Sequence, residues 1–413
     1  MISPAKKSAN KSSLNLNLEA LRGIAAILVV FTHFTELINF HSKNSYFSRM
    51  VSTWGTESVI IFFVLSGIVI RASFEKRPVG NLAFLKNRIL RIHPILIVSI
   101  IFTVLLEKFA FKQTINPWQV AGNIIPVSTF NASLALLYFK SNPVIWSLSF
   151  EMFFYVVFAL GGIYRQKINL RFIYTWFGLG CLSIIGYYLI SSTPVINYLL
   201  QMMAFSPIWL VGFFIWHLKD QYRSNLFFAA FSLACLPLVS RLHITTHYYD
   251  PIRYLLFAIT SIPFFIYLCN WGYNIKIGQG KGTLWFILTL CSFIFACIYI
   301  VKDPGYTRGV KVTYMVLPLC MLLFYSITFK NIIKIIFLKV IRSAFSYIGT
   351  ISYSLYIIHF PILTVISLLS VSIYLKSFLG IVIVFSVSIL LENYYQPFIK
   401  SLFIKAKHQT LTP

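Results

Sequence analysis

The chain reads as an all-α polytopic membrane protein, a bundle of about 10–12 transmembrane helices. Three observations carry that expectation. Of the 413 residues, 58% are hydrophobic and only 11% charged. Mean hydropathy is +0.79. Apolar runs of bilayer-spanning length follow one another with short polar connections, leaving no room for a soluble domain of ordinary size. The net charge of +25 does not indicate nucleic acid, because the basic residues sit in short loops rather than on one soluble face. The six cysteines fall inside apolar runs without CxxC spacing, so they read as core residues, neither a disulfide framework nor a metal site.

Residues Met1 to Asn17 form a polar tail with Lys6, Lys7 and Lys11. The charged start of the first apolar run argues for a retained anchor rather than a cleaved signal. About twelve apolar spans follow, beginning near Leu18, Trp54, Ile89, Val144, Phe172, Ile196, Asn225, Ile252, Thr283, Val312, Ile351 and Ser377. With alternating sides, about two-thirds of the 35 Lys and Arg residues fall on the side of the N-terminus. The positive-inside rule then makes both termini cytoplasmic. The seventh span, around Phe227 to Val239, and the last, ending in the polar LENYYQPF, are the weakest. The stretch Trp118 to Phe139, interrupted by Pro126 and Asn131, is expected to be interfacial or re-entrant on the outer side. Ile332 to Arg342 has the charge alternation of a helix lying on the inner membrane surface. No internal repeat or matched pair of broken helices is visible, which weakens a secondary-transporter reading.

Ionisable residues at membrane depth are costly and mark where to look for chemistry. The first span, Leu18 to Phe40, carries Glu19, Arg22, His33 and Glu36. Eleven residues are about three helical turns, which puts Arg22 and His33 near one face, roughly 16 Å apart in depth. Glu36, three residues after His33, is close enough to hold its imidazole. A buried base with an orienting carboxylate and a polar pair gluing helices together are equally compatible with this spacing. In the second span Ser66 and Gly67 favour close helix packing. The basic connection that follows ends with Lys86, Arg88 and Arg91. Two guanidiniums three residues apart make a bidentate phosphate site, whereas a topological signal satisfied by anionic headgroups explains the same residues. In the fourth span Trp146 suits the outer interface, and Glu151 lies roughly 7 Å deeper. Ser147 and Ser149 are too weak to neutralise it, so a cation from another helix or a water-filled cavity is expected. Tyr353, Tyr356 and His359, followed by Pro361, lie along about two turns. Tyr356 and His359 form either a hydrogen-bonded pair lining a pore or a structural pair beside a proline kink. His243, His247 and Asp250 have loose metal-ligand spacing without a fourth ligand and read as a solvated loop. His93, just before Pro94, either caps the arginine face or only marks the interface.

The ordered motifs LRGIAAILVVFTH, FFVLSG, RILRIHP, WSLSFEMFFY and ISYSLYIIHFP resemble the acyltransferase-3 family of integral membrane proteins. The resemblance runs from Leu18 to about Pro397. It implies transfer of an acyl group, most often acetyl, from cytoplasmic acyl-CoA to a glycan or lipid-linked sugar, in a bacterial inner membrane. Acyl-CoA is then a cosubstrate, no resident cofactor is implied, and membrane lipids are the other partners. By motif position, Arg22 and His33 match the family's R-x10-H, with the histidine catalytic. Arg88 and Arg91 match its RxxR, implicated in handling the donor, and Trp146, Ser147 and Glu151 match its W-S-L-x-x-E segment. The implied division is a tail at 1–17, a transmembrane acyltransferase domain at 18–397 and a tail at 398–413. His33, Glu36 and Glu151 are then the expected catalytic residues, and Arg22, Lys86, Arg88 and Arg91 the donor-binding ones. Trp146, Ser147, Tyr353, Tyr356 and His359 would line the substrate channel. Some members carry a fused esterase-like domain; this chain ends at Pro413, so hydroxyl capture is expected within the membrane domain. Two rivals stand beside this reading. One is a polysaccharide or lipid-linked-sugar transporter relaying protons through His33, Glu36 and Glu151. The other is a non-catalytic partner of a glycan synthase.

Overall fold

The computed structural model describes residues 4–38, 54–127, 138–190, 193–221, 224–242, 250–270, 282–303, 311–312, 315–316, 320 and 342–409. Its helices are α1 (Pro4–Leu37), α2 (Trp54–Lys76), α3 (Asn81–Phe109), α4 (Pro117–Ile124), α5 (Trp146–Val157), α6 (Leu170–Leu189), α7 (Pro194–Leu218) and α8 (Leu226–Val239). They continue as α9 (Pro251–Thr260), α10 (Ile262–Asn270), α11 (Gly282–Lys302), α12 (Arg342–Thr350), α13 (Ser352–Ser367), α14 (Ile373–Leu390) and α15 (Gln396–Gln409). Among the described residues the only sheet is a hairpin of β1 (Ile163–Tyr164) on β2 (Lys167–Ile168). Its two turn residues, Arg165 and Gln166, both have positive φ, at 48° and 58°. That geometry matches the twist of a two-residue hairpin.

Helix starts follow local chemistry. Asn169, Asn225 and Ser372 each accept a backbone N–H through the side chain, and Asp250 accepts from Ile252 and Arg253 ahead of Pro251. Short polar acceptors at the N-cap satisfy amides that the first turn cannot pair. Asp250 is thus a helix cap; His243 and His247 lie outside the described residues.

Among the described residues, seven helical segments are long and apolar enough to cross a membrane, and up to nine if each of two bent pairs is one span. The first, Leu16–Leu37, belongs to a helix that continues back to Pro4, so the polar tail is helical. α9 with α10 bends by 41° and α12 with α13 by 72°. The second break falls at Ile351, and Pro361 lies inside α13. α8 and residues Ile287–Lys302 are shorter apolar helices. The span expected near Val312 and the surface helix Ile332 to Arg342 fall almost wholly outside the described residues. So does the latter half of Trp118 to Phe139, whose beginning is the short helix α4. Cys235 and Cys269 are buried as expected, but Cys291 is exposed, on a face of α11 with other exposed apolar side chains.

The chain divides into two compact units. One comprises Met1–Arg22, Ile60–Arg77 and Ala204–Tyr347. Here α2 and α7 cross backbone to backbone: a Cβ on Gly67 would collide with the carbonyl of Trp209, and one on Gly212 with that of Val64. Trp209 Nε1 also donates to Ser66 Oγ (3.2 Å). Small residues permit such close approach between membrane helices. Gly67→Ala is therefore expected to destabilise the chain by about 1–3 kcal/mol, the usual range for overpacking. The check is the thermal midpoint of purified protein in detergent, and an unchanged midpoint would contradict the crossing.

The other unit comprises Gly23–Val59, Pro78–Met203 and Ile348–Pro413. It is stitched by buried polar groups that have no water to turn to. Ser99 Oγ donates to Ile357 O (2.8 Å), joining α3 to α13. Asn142 Nδ2 donates to Ser99 Oγ (2.9 Å) and Thr103 Oγ1 (3.1 Å), and Glu107 accepts from Ser141 Oγ (2.9 Å). Leu363 of α13 and Phe34 of α1 close around Gly380 of α14. Gln396 Nε2 donates to the carbonyls of Leu90 (2.6 Å) and Arg91 (3.2 Å), fastening the start of α15 to α3.

Candidate active site

Eleven of the twelve expected site residues belong to this second unit; Arg22 is the last residue assigned to the first. There Arg22 Nη1 donates to both carboxylate oxygens of Glu19, at 2.9 and 3.0 Å, one turn back along α1.

His33 sits where α1 has climbed well into its apolar stretch. Its Nδ1 lies 3.2 Å from Glu36 Oε2, the contact predicted by their spacing. Since a carboxylate accepts, Nδ1 carries the proton and Nε2 is left as an acceptor. The side chains of His33 and Glu36 are 22% and 52% exposed. On the other side the His33 ring stacks on His359, with centroids 5.4 Å apart and planes at 24°. Phe360 meets it edge-on at 5.1 Å. α13 thus brings a second imidazole to the first, 326 positions along the chain.

The Tyr356 and His359 side chains do not bond to each other, which removes the hydrogen-bonded pair, one of the two readings of their spacing. Tyr356 Oη bonds with Ser147 Oγ (2.9 Å) and donates to Val144 O (3.0 Å). His359 Nδ1 turns back to the carbonyls of Tyr356 (2.7 Å) and Leu355 (3.1 Å). The tyrosine hydroxyl reaches outward beyond the next turn of its own helix, so its partner comes from α5. Tyr353 Oη likewise leaves α13, donating to Ile92 O (2.8 Å) on α3. Trp146 is buried with its ring edge-on to Phe150 at 5.5 Å. Half-buried Glu151 takes a hydrogen bond from Tyr155 Oη one turn further along α5. It also lies within electrostatic range of Tyr353 and Tyr356.

The basic residues of α3 are held in different ways. Lys86 is exposed. Arg88 places its guanidinium over Phe84 (5.5 Å) and Tyr155 (5.8 Å). Arg91 is ion-paired with Glu392 and lies over Tyr353 (5.7 Å). Glu392 Oε2 accepts from Ser354 Oγ (2.6 Å). Lys400 of α15 lies within electrostatic range of Arg88, Arg91 and Glu392. The residues missed from sequence are therefore Glu392, Ser354 and Lys400. The one available signal was a carboxylate in an otherwise apolar last span, in a stretch that is in fact a π-helical turn, Leu391–Tyr395, rather than the end of the span. Such turns recur at functional sites.

Among the described residues no group of three or more His, Cys, Asp or Glu side chains is arranged to hold a metal ion. What the unit offers is an imidazole oriented by a carboxylate, a second imidazole stacked on it, and a cationic patch one helix away. That suits proton removal from a hydroxyl and binding of an anionic donor.

The family described as an acyltransferase domain, acyltransferase 3, matches residues 15–279. The matched stretch holds four of the five motifs; ISYSLYIIHFP lies beyond it, and the structure is what joins His359 to His33. No curated protein and no solved structure matches the chain. A match over more than half of the chain, on a helical fold with membrane-spanning segments, makes this protein a member of the acyltransferase-3 family and a membrane acyltransferase.

Proposed function

We propose that the enzyme moves an acyl group, acetyl in the first instance, from cytoplasmic acyl-CoA to a hydroxyl of a cell-surface or exported glycan, with His33 as the base. The observation that carries this is His33 itself, an imidazole within the span Leu16–Leu37 whose Nδ1 is held by Glu36. A histidine so oriented presents Nε2 to a substrate hydroxyl, and the carboxylate stabilises the imidazolium that forms. The phosphates of the donor dock on Lys86, Arg88 and Arg91, with Arg22 at the mouth. The sugar enters from outside past Glu151, in a channel lined by Trp146, Ser147, Tyr353, Tyr356 and His359. The family domain occupies residues 18–397, between tails at 1–17 and 398–413. The protein lies in a bacterial inner membrane with both termini cytoplasmic. A cysteine placed at Lys76 is then labelled only from the cytoplasmic side and one at Lys112 only from outside; labelling of both from one side would remove the donor assignment.

Membranes containing the chain, given [14C]acetyl-CoA, are expected to incorporate label into the glycan fraction, and matched membranes without it are not. Equal labelling in both would refute the proposal. Lysine keeps the charge of arginine but not its planar fork. Arg88→Lys and Arg91→Lys should therefore each raise the KM for acetyl-CoA by about tenfold, near one lost charge-assisted hydrogen bond. Unchanged KM in the double variant would leave these arginines as topology signals.

A further inference from the structure

His359 has one nitrogen committed and one open. The acceptors at its Nδ1 are backbone carbonyls, at 2.7 and 3.1 Å. Carbonyl oxygens only accept, so Nδ1 carries the proton and Nε2 keeps its lone pair. That Nε2 is buried and has no hydrogen-bond partner among the described residues, and the residue as a whole is 0% exposed. An acceptor left unpaired inside a protein is costly, and native structures seldom keep one without a use for it. The ring bearing it stacks on His33 at 5.4 Å. We infer that His359 is a catalytic nucleophile, accepting the acyl group on Nε2 before the sugar hydroxyl takes it.

The inference rests on the acyl-CoA donor and the His33 base proposed above, and gives the two histidines separate steps. In the first, the Nε2 lone pair attacks the thioester carbonyl. The C–N bond forms, the C–S bond breaks, and its electron pair leaves with sulfur as the CoA thiolate. The resulting acyl-imidazolium keeps its Nδ1 proton between the carbonyls of Leu355 and Tyr356, whose partial negative charge stabilises the cation. In the second, the sugar oxygen attacks the acyl carbon while His33 takes the hydroxyl proton. The C–O bond forms, the C–N pair returns to Nε2, and the proton on His33 together with the thiolate completes free CoA. The burial of His359 keeps water from an acyl-imidazole, which would otherwise hydrolyse. A base stacked on the acylated ring is already beside the carbon to be attacked.

A covalent acyl-enzyme makes the first step reversible without any acceptor, so the solubilised full chain should exchange radiolabelled CoA into acetyl-CoA with no glycan present. His359→Asn keeps an amide near the position of Nδ1 to bond the carbonyls and has no Nε2. His359→Gln puts an amide near Nε2 that is not a nucleophile. Both variants should lose exchange by about 100-fold or more, with protein recovered at the wild-type level. His33→Gln should retain exchange within about threefold while failing to acetylate glycan, since it spares the first step. Exchange at the wild-type rate by His359→Asn would overturn the inference. So would a wild-type chain that acetylates glycan without any exchange, a result that leaves the His33 base intact and needs no variant to fold. Conversely, His33→Gln that both exchanges and acetylates refutes the His33 base while leaving His359 as nucleophile. A wild-type chain that neither exchanges nor transfers acetyl from acetyl-CoA overturns both.

Discussion

His33→Gln is expected to lower acetyl transfer to glycan by about 10²–10⁴-fold, the usual contribution of a positioned general base. Glutamine is close to histidine in length and puts an amide near Nε2, so it keeps a hydrogen-bonding group where the hydroxyl is proposed to bind while giving up the 3.2 Å contact of Nδ1 with Glu36. It also still fills the space against Phe360 and His359. What it cannot do is take a full proton. Loss of rate with unchanged protein level and thermal midpoint therefore separates a base from a residue that merely fills the unit. The measurement is acetyl incorporation into the glycan fraction of membranes, with the chain quantified in the same sample. Incorporation near the wild-type rate would leave His33 as packing between α1 and α13.

His33 stood out in the sequence because an imidazole inside an apolar span is costly, whether it serves as a base or as half of a polar pair. Its partner at i+3 was legible because a helix puts those side chains together. The crossing at Gly67 was legible for the same local reason, small residues in a membrane helix. What could not be read were contacts set by tertiary packing. Nothing near Tyr356 in sequence announces Ser147, which lies 209 positions away. Nothing near His33 announces His359. Spacing on α13 left a Tyr356–His359 bond as one of two readings, but each side chain bonds elsewhere, Tyr356 to the Val144 carbonyl just before α5 and His359 back to its own backbone. Hydropathy also counts apolar runs without telling a straight span from a bent pair, so the break at Ile351 was not legible. The polar run at Glu392 was read as a terminus for the same reason. Its partner Arg91 is 301 positions away, and that pairing together with Ser354 satisfies the buried carboxylate.

Glu392→Gln is expected to destabilise the chain by about 1–3 kcal/mol, less than the loss of a fully buried ion-pair partner because Arg91 is partly solvated. The side chains of Arg91 and Glu392 are 33% and 7% exposed, so removing the charge leaves a guanidinium half out of water with its acceptor weakened. An amide also turns one of two accepting oxygens into a donor, where both Arg91 Nη1 and Ser354 Oγ donate. Ser354→Ala, which removes only the hydroxyl, should cost about 1 kcal/mol. The two variants part when CoA is added. If Arg91 belongs to the donor site, a CoA phosphate can take the place of the missing carboxylate. Because a ligand that binds only the folded chain stabilises it, saturating CoA should raise the thermal midpoint of Glu392→Gln by more than it raises that of the wild type. Ser354→Ala keeps the carboxylate on Arg91 and should respond to CoA as the wild type does. A Glu392→Gln chain that gains no more from CoA than the wild type would make the pair a structural clamp between α3 and the last span, and would take Arg91 out of the donor site.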